Sequence, residues 1–285
     1  MQGHTAMPPH APTLRLGLIG DNIRASRSPL LHRIAGEMLG RPTTYDSLIP
    51  ADLKRDFHAV FADCGRVYRG INVTYPYKEI AAKKVMVEDP LVRGIGAVNK
   101  VLFEPDGPKG HNTDHTGFMA AYARVRGDTP PGTVLMIGTG GVGRAVAFGL
   151  AGLGAAVVRL MDRDRAKAEV LASELRAAAP GIAIEVHENA EGACHGADGL
   201  INCTPLGMEG HPGTPLPRKA MAGASWAFDA VYTPEHTRFL LDAATGGLQI
   251  ISGWELYFYQ GLHASKLFTG HSLDAEALRA RLRED

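Results

Sequence analysis

Two rhythms of apolar and polar positions run through the chain. Short apolar runs recur at LRLGLIG from Leu14, TYDSLIP from Thr44, YRGINVTYP from Tyr68, VLMIG from Val134, AAVVRLMD ending at Asp162, IAIEVHE from Ile182, GLINCTP from Gly199, WAFDAVY from Trp226 and LQIISG from Leu248. Each reads as a strand. Between them lie segments with helical spacing: SPLLHRIAGEMLG from Ser28, PADLKRDFHAVFADC from Pro50, YKEIAAKKVMV from Tyr77, FMAAYARVRG from Phe118 and DRAKAEVLASELRAAA from Asp164. Ser28 is the expected N-cap of the first helix, with Pro29 at its first position. The stretch GIGAVNKVLFEP from Gly94 reads as a glycine-rich turn and a short strand, and GHNTDHTGF from Gly110 as the lead into the Phe118 helix.

This alternation predicts an α/β protein whose sheets are covered by helices. The loop DTPPG, residues 128–132, is the strongest break, and 133–252 reads as one doubly wound, Rossmann-like unit. Two further helices, from Trp254 and from Leu273, come too late for that sheet and are expected to return to the first half. The expected division is therefore an N-terminal α/β substrate domain, 13–115, completed by 254–285, and a dinucleotide-binding domain, 116–253.

The second half carries VLMIGTGGVGRAVAFGLAGLGAAVVRLMD, in which an apolar run meets glycines before a helix and a second run ends in an acid. Gly138 allows a tight turn off the strand, Gly140 lets backbone approach a pyrophosphate, and Gly143 lets the helix lie close on the sheet. The pyrophosphate is then expected on the helix N-terminus. Asp162 stands where such units carry the acid that meets a ribose.

Charge narrows the ligand. Over 285 residues, 30 basic and 30 acidic side chains cancel, and no basic stripe is visible. Nucleic acid and an anionic membrane are not the expected partners; a small molecule is. Cys64, Cys194 and Cys203 are widely spaced and lack metal-site spacing, so reduced thiols and no bound metal are expected. No run of about 18 apolar residues occurs, and the first twelve residues read as a disordered lead-in without an export signal. A cytoplasmic protein, monomer or homodimer, is the expectation.

A dinucleotide fold leaves the substrate open, so polar groups at strand ends in the first half decide it. Four clusters qualify: Ser26 with Ser28, the run Asn72 to Lys78, Asn99, and Asn112 to Asp114. Their hydroxyls and amides suit a ligand with several hydroxyls and a carboxylate. Lys78 and Asp114 are an ionisable pair able to hold the proton that leaves an alcohol as hydride departs. Singly, Ser28 reads equally as a helix cap, Asn99 as a turn residue and Lys78 as a solvated surface lysine.

Together these motifs resemble the shikimate dehydrogenase family, including its quinate/shikimate branch, from Leu14 to about Arg283. The likeness rests on Ser26-Arg27-Ser28-Pro29, Asn72-Val73-Thr74 through Pro76 and Lys78, Ala97-Val98-Asn99, Asn112-Thr113-Asp114 with Gly117-Phe118, Asn202-Cys203-Thr204-Pro205, Asp229 with Tyr232, and Gln260. It implies an NAD(P)-dependent oxidoreductase interconverting shikimate or quinate and the 3-dehydro ketone. Lys78 and Asp114 would be catalytic. Ser26, Ser28, Asn72, Thr74, Asn99, Tyr232 and Gln260 would hold substrate. Gly138, Gly140, Gly141, Val142, Gly143, Asp162, Arg163, Asn202, Cys203, Thr204, Pro205, Val231 and Gly253 would line the cofactor.

Two positions depart from the family pattern. Leu160-Met161-Asp162 stands where NADP-using members carry a segment that grips a 2′-phosphate, and its acid implies NAD, with NADP admitted if Arg163 or Arg165 turns inward. Lys100 stands where threonine is usual and bears on which acid is preferred, an aminoshikimate included. A methylenetetrahydrofolate dehydrogenase, which also pairs a lysine with a nicotinamide fold, and a non-enzymatic dinucleotide-sensing regulator are the competing readings.

Overall fold

Buried strands joined by helices sort into two sheets. The structure, a computed structural model, describes residues 12–284; apart from Pro12, the lead-in lies outside them. β1 (Leu14–Ile19) is followed by α1 (Ser28–Met38), β2 (Thr43–Leu48), α2 (Phe57–Val67) and β3 (Gly70–Val73). Two short helices, α3 (Lys78–Ala82) and α4 (Pro90–Ile95), precede a hairpin of β4 (Lys100–Glu104) and β5 (Gly107–His111). The first sheet runs β2-β1-β3-β4-β5. Its first three strands are parallel and its last two antiparallel.

Helix α5 (Thr113–Arg126) carries the chain to the second sheet, built from β6 (Thr133–Ile137), α6 (Gly141–Gly152), β7 (Val157–Met161), α7 (Arg165–Ala178), β8 (Ala183–His187), α8 (Ala190–Ala193), β9 (Gly199–Asn202), β10 (Trp226–Asp229), α9 (Arg238–Thr245) and β11 (Gln249–Ile251). The order β11-β10-β9-β6-β7-β8, parallel throughout, is that of a doubly wound dinucleotide fold. All four residues of β9 and of β10 are buried, as expected of strands covered on both faces. Strand order reverses between β6 and β9, and a crevice for ligand opens at their carboxyl ends.

The last two helices, α10 (Gly253–Thr269) and α11 (Ala275–Glu284), return to the first sheet. Trp254, Phe258, Leu278 and Leu282 pack with Leu31 and Ile34 of α1, and Ala264 and Phe268 pack with Leu14 and Leu16 of β1. Helix α10 also lies along α5, where Gly117 makes room: a Cβ there would stand 2.8 Å from the Gln260 backbone nitrogen. Among the described residues no helix is long and apolar enough to cross a membrane.

Several local expectations differ from the structure. Ser28 is the first helical residue of α1 and does not cap it; the Ser28 N–H instead donates to Ser26 Oγ at 3.2 Å. Helix α2 starts later than Pro50, because Asp56 accepts from the Ala59 N–H at 2.7 Å and caps it there. The helix from Tyr77 stops at Ala82, because Met86 leaves it to form a bridge with Lys109. The glycine-rich turn from Gly94 is the end of α4, which Asp89 caps and Gly96 closes with φ +66°.

Candidate active site

Lys78 Nζ donates to Asp114 Oδ2 at 2.6 Å, with the two side chains 15% and 8% exposed. The local folding of three loops makes this pair. Lys78 opens α3, and its carbonyl accepts from the Val98 N–H at 3.0 Å, which pins it to the β4 approach. Asp114 lies in the first turn of α5, whose cap Asn112 accepts from the Asp114 and His115 N–H groups and donates to the Ala97 carbonyl at 2.9 Å. Asn99 Oδ1 accepts from the Thr113 N–H at 2.8 Å. Burial alone would raise the Asp114 carboxyl, but Lys78, Lys100 and the hydrogen bonds from Lys78 and Asn99 hold it below its ordinary value. The carboxylate is thus kept ionised at a helix N-terminus, where an anion is favoured.

A polar wall runs from this pair along the carboxyl end of the first sheet. Asn72 Nδ2 donates to Tyr45 Oη at 2.5 Å and lies 3.4 Å from His32 Nε2, while Asn72 Oδ1 is buried without a partner among the described residues. Tyr45 meets Ser28, and Tyr232 meets Ser26. Tyr232 stacks on Tyr257, whose hydroxyl donates to the Arg27 carbonyl at 2.7 Å. His32 is sealed beneath Tyr45, and burial pushes it down to about 3, so it is neutral. Lys100, 3% exposed, donates from Nζ to Gln260 Oε1 at 2.7 Å.

The second sheet presents its crevice to the same place. Gly138, at φ +99°, passes so close to β9 that a Cβ would stand 2.7 Å from the Cys203 carbonyl carbon. A Cβ on Gly143 would stand 2.2 Å from the Gly138 carbonyl oxygen, so helix and turn can meet only through glycine. Among the described residues nothing lies within 4 Å of where a Cβ on Gly140 would be, which leaves the helix N-terminus open to a ligand. Next to it, a Cβ on Gly141 would lie 3.3 Å from Lys78 Cδ. Asp162 accepts from the Thr139 N–H and hydroxyl at 2.7 and 2.8 Å, and from the Asp164 N–H at 2.9 Å. Burial would raise it, and these bonds hold it below its ordinary value. Open helix terminus, glycine cradle and fixed carboxylate fit the phosphates and ribose of a dinucleotide.

Relatives carry the same plan. Residues 18–101 match the shikimate dehydrogenase substrate binding domain. A quinate/shikimate dehydrogenase (NAD(+)) of Corynebacterium efficiens is 35% identical over 94% of this chain and 97% of its own length. The chain belongs to the shikimate dehydrogenase family. A shikimate dehydrogenase (NADP(+)) of Haloarcula marismortui is 37% identical over 94% of this chain and 98% of its own. The solved quinate dehydrogenase from Corynebacterium glutamicum in complex with NAD superposes with a TM-score of 0.88 at 30% identity, covering 96% of this chain and 99% of that one. The present family member is accordingly an oxidoreductase of the shikimate/quinate dehydrogenase type that uses a nicotinamide dinucleotide.

Within this shikimate dehydrogenase fold, Lys78, Asp114, Asn99 and Asn72 come together, with Gln260 reached through Lys100. Ser26, Ser28 and Tyr232 form the opposite end of the wall, and Thr74 lies half-buried beside Gly20, where a Cβ would stand 2.3 Å from its methyl. Asn202 is fully buried, and its amide is spent inside the protein: it donates to the Leu206 carbonyl and to Asp229, and accepts from Thr204. Its side chain therefore shapes the loop Cys203 to Pro205 and offers no group to a ligand. A Cβ on Gly253 would stand 2.3 Å from the Val231 carbonyl oxygen, which places both at the end of β10. Val142 is half-buried in the first turn of α6, and Arg163 is exposed beyond β7. Sequence reasoning missed Tyr45 and His32.

Proposed function

We propose that this chain interconverts shikimate or quinate and the corresponding 3-dehydro ketone, with Lys78 and Asp114 handling the proton and NAD preferred over NADP. One observation carries the reading: the Lys78–Asp114 pair lies against the open N-terminus of the dinucleotide helix, at Gly141. A nicotinamide dinucleotide bound on Gly138 to Gly143 and Asp162 supplies the hydride acceptor for the alcohol, or the donor for the ketone. In the direction of reduction, Lys78 Nζ gives its proton to the carbonyl oxygen, and Asp114 holds the ammonium in place and balances its charge. Oxidation passes the hydroxyl proton back to Lys78 Nζ. Ser26, Ser28 and Tyr232 hold the carboxylate, and Asn72, Thr74, Asn99 and Gln260 hold the remaining hydroxyls.

The division into a substrate domain, 13–115 with 254–285, and a cofactor domain, 116–253, follows the same reading. So does a monomer or homodimer working in the cytoplasm on small molecules. For the cofactor, Arg165 already pairs with Glu188 and Glu169, which leaves exposed Arg163 to offset the carboxylate of Asp162 against a 2′-phosphate. None of the relatives named above is a folate enzyme, and the presence of both Lys78 and Asp114 disfavours a regulator without turnover. Purified protein assayed with NAD or NADP against quinate, shikimate and an aminoshikimate, by absorbance of the reduced cofactor, tests the reading. Inactivity across that panel refutes it.

A further inference from the structure

Lys100 is a second buried lysine beside the catalytic pair. It opens β4 directly opposite Asn72 on β3, so the two side chains stand as neighbours on one face of the sheet. Asp114 and Lys78 both act on it electrostatically, and it acts in turn on His32, so it sits between the catalytic pair and the polar layer behind Asn72. Two lysines share one carboxylate here, and that carboxylate is bonded to Lys78. Gln260 is the one hydrogen-bond partner of Lys100 Nζ among the described residues, which leaves two of its hydrogens unassigned. Beside it stands Asn72 Oδ1, a buried acceptor with no donor among the described residues. A free donor next to a free acceptor fits a hydroxyl, which accepts and donates at once.

We propose that Lys100 is a specificity-determining residue of the substrate pocket: Lys100 Nζ donates to, and Asn72 Oδ1 accepts from, a ring hydroxyl next to the one that is oxidised, and the site thereby selects a hydroxyl over an amino group at that position. This rests on the polyol-acid reading above. A protonated amine can only donate, so it satisfies Asn72 and confronts the Lys100 ammonium with a like charge. A hydrogen in place of the hydroxyl leaves both protein groups unpaired. Burial pushes Lys100 down to about 7, the mark of an ammonium short of partners, and a seated hydroxyl supplies one.

The experiment compares wild type, Lys100→Met and Gln260→Leu for kcat/KM with shikimate and with an analogue bearing an amino group at the neighbouring ring position, alongside NAD affinity by calorimetry. Lys100→Met is expected to lower kcat/KM for shikimate by about 10-fold to 100-fold, the worth of a charge-assisted hydrogen bond, and to leave NAD affinity unchanged. The shikimate-to-amine preference should fall by at least about tenfold, because the amine loses a repulsive neighbour. Equal losses on both substrates, or a Gln260→Leu profile identical to that of Lys100→Met, make Lys100 a mere prop for Gln260 and overturn the proposal. Wild-type inactivity on both acids overturns the functional reading and this inference together, whereas wild-type activity with an unchanged preference overturns the inference alone. Should the methionine variant fail to bind NAD, Lys100→Thr is read by the same ratio.

Discussion

Replacing Lys100 by methionine should make the protein more stable at neutral pH while making it a poorer enzyme. The wild-type ammonium is buried, and its native pKa of about 7 lies below the ordinary 10.5. The unfolded chain therefore binds the extra proton between those values, and wild-type stability rises as pH climbs through that window; below it the cost is constant. At about 1.4 kcal/mol per unit, the shift corresponds to at most about 4 kcal/mol at pH 7. Losing the bond to Gln260 removes about 1 kcal/mol from the gain, and relaxation of polar neighbours removes more, so Lys100→Met should be stabilised by about 1–3 kcal/mol. Urea unfolding of both proteins at pH 7 and at pH 9.5 measures this. The difference should shrink by up to about 3 kcal/mol at the higher pH, and comparing the two proteins cancels the other groups that titrate there. Parallel stability curves with no gain at pH 7 would refute the burial of a charged Lys100.

Three further outcomes follow from the site. Lys78→Ala should lower kcat by about 10²-fold to 10⁴-fold with little change in KM, because proton transfer acts in the transition state; a raised KM with normal turnover would make Lys78 a binding residue. Wild-type kcat/KM should favour NAD over NADP by at least about tenfold, roughly 1.4 kcal/mol, and Asp162→Ser should shrink that ratio; equal efficiencies in the wild type would place Asp162 outside the ribose site. Ser28→Ala or Thr74→Ala should weaken substrate binding by about 1–3 kcal/mol and leave NAD affinity intact, whereas an equal loss of NAD affinity in calorimetry would assign them to the other side of the cleft.

Much of this architecture is legible in the residues because strong local signals agree with the global fold. Apolar runs such as VLMIG and GLINCTP have no choice but a doubly covered sheet, and Gly138 and Gly143 are demanded by backbone contacts that a Cβ would break. What escaped has equally physical reasons. Strand β5, GPKGH, has no apolar alternation, and its pairing with β4 fixes it. Helix α4 carries its own signature, Asp89 before Pro90, yet the glycines that follow mask it. Tyr45 reaches the pocket only through the parallel register that puts β2 and β3 on either side of β1, which no local pattern reports. Lys100 stands out in the sequence as an odd residue beside Asn99, but its hydrogen-bond partner Gln260 is supplied from α10.

The return of α10 and α11 sets the order in which the chain can fold as it is made. Leu14, Leu16, Leu31 and Ile34 are synthesised before the doubly wound sheet, whereas Trp254, Phe258, Ala264, Phe268, Leu278 and Leu282, which cover them, are synthesised after it. The doubly wound sheet lies wholly between and finds the partners for its strands within its own span. It can therefore condense during synthesis, while the apolar face of α1 waits uncovered for α10 and α11. The pocket wall at Ser26 to Ser28 is completed at the same moment, through the bond from Tyr257 to Arg27, so a nascent chain cannot acquire activity before α10 is free to dock.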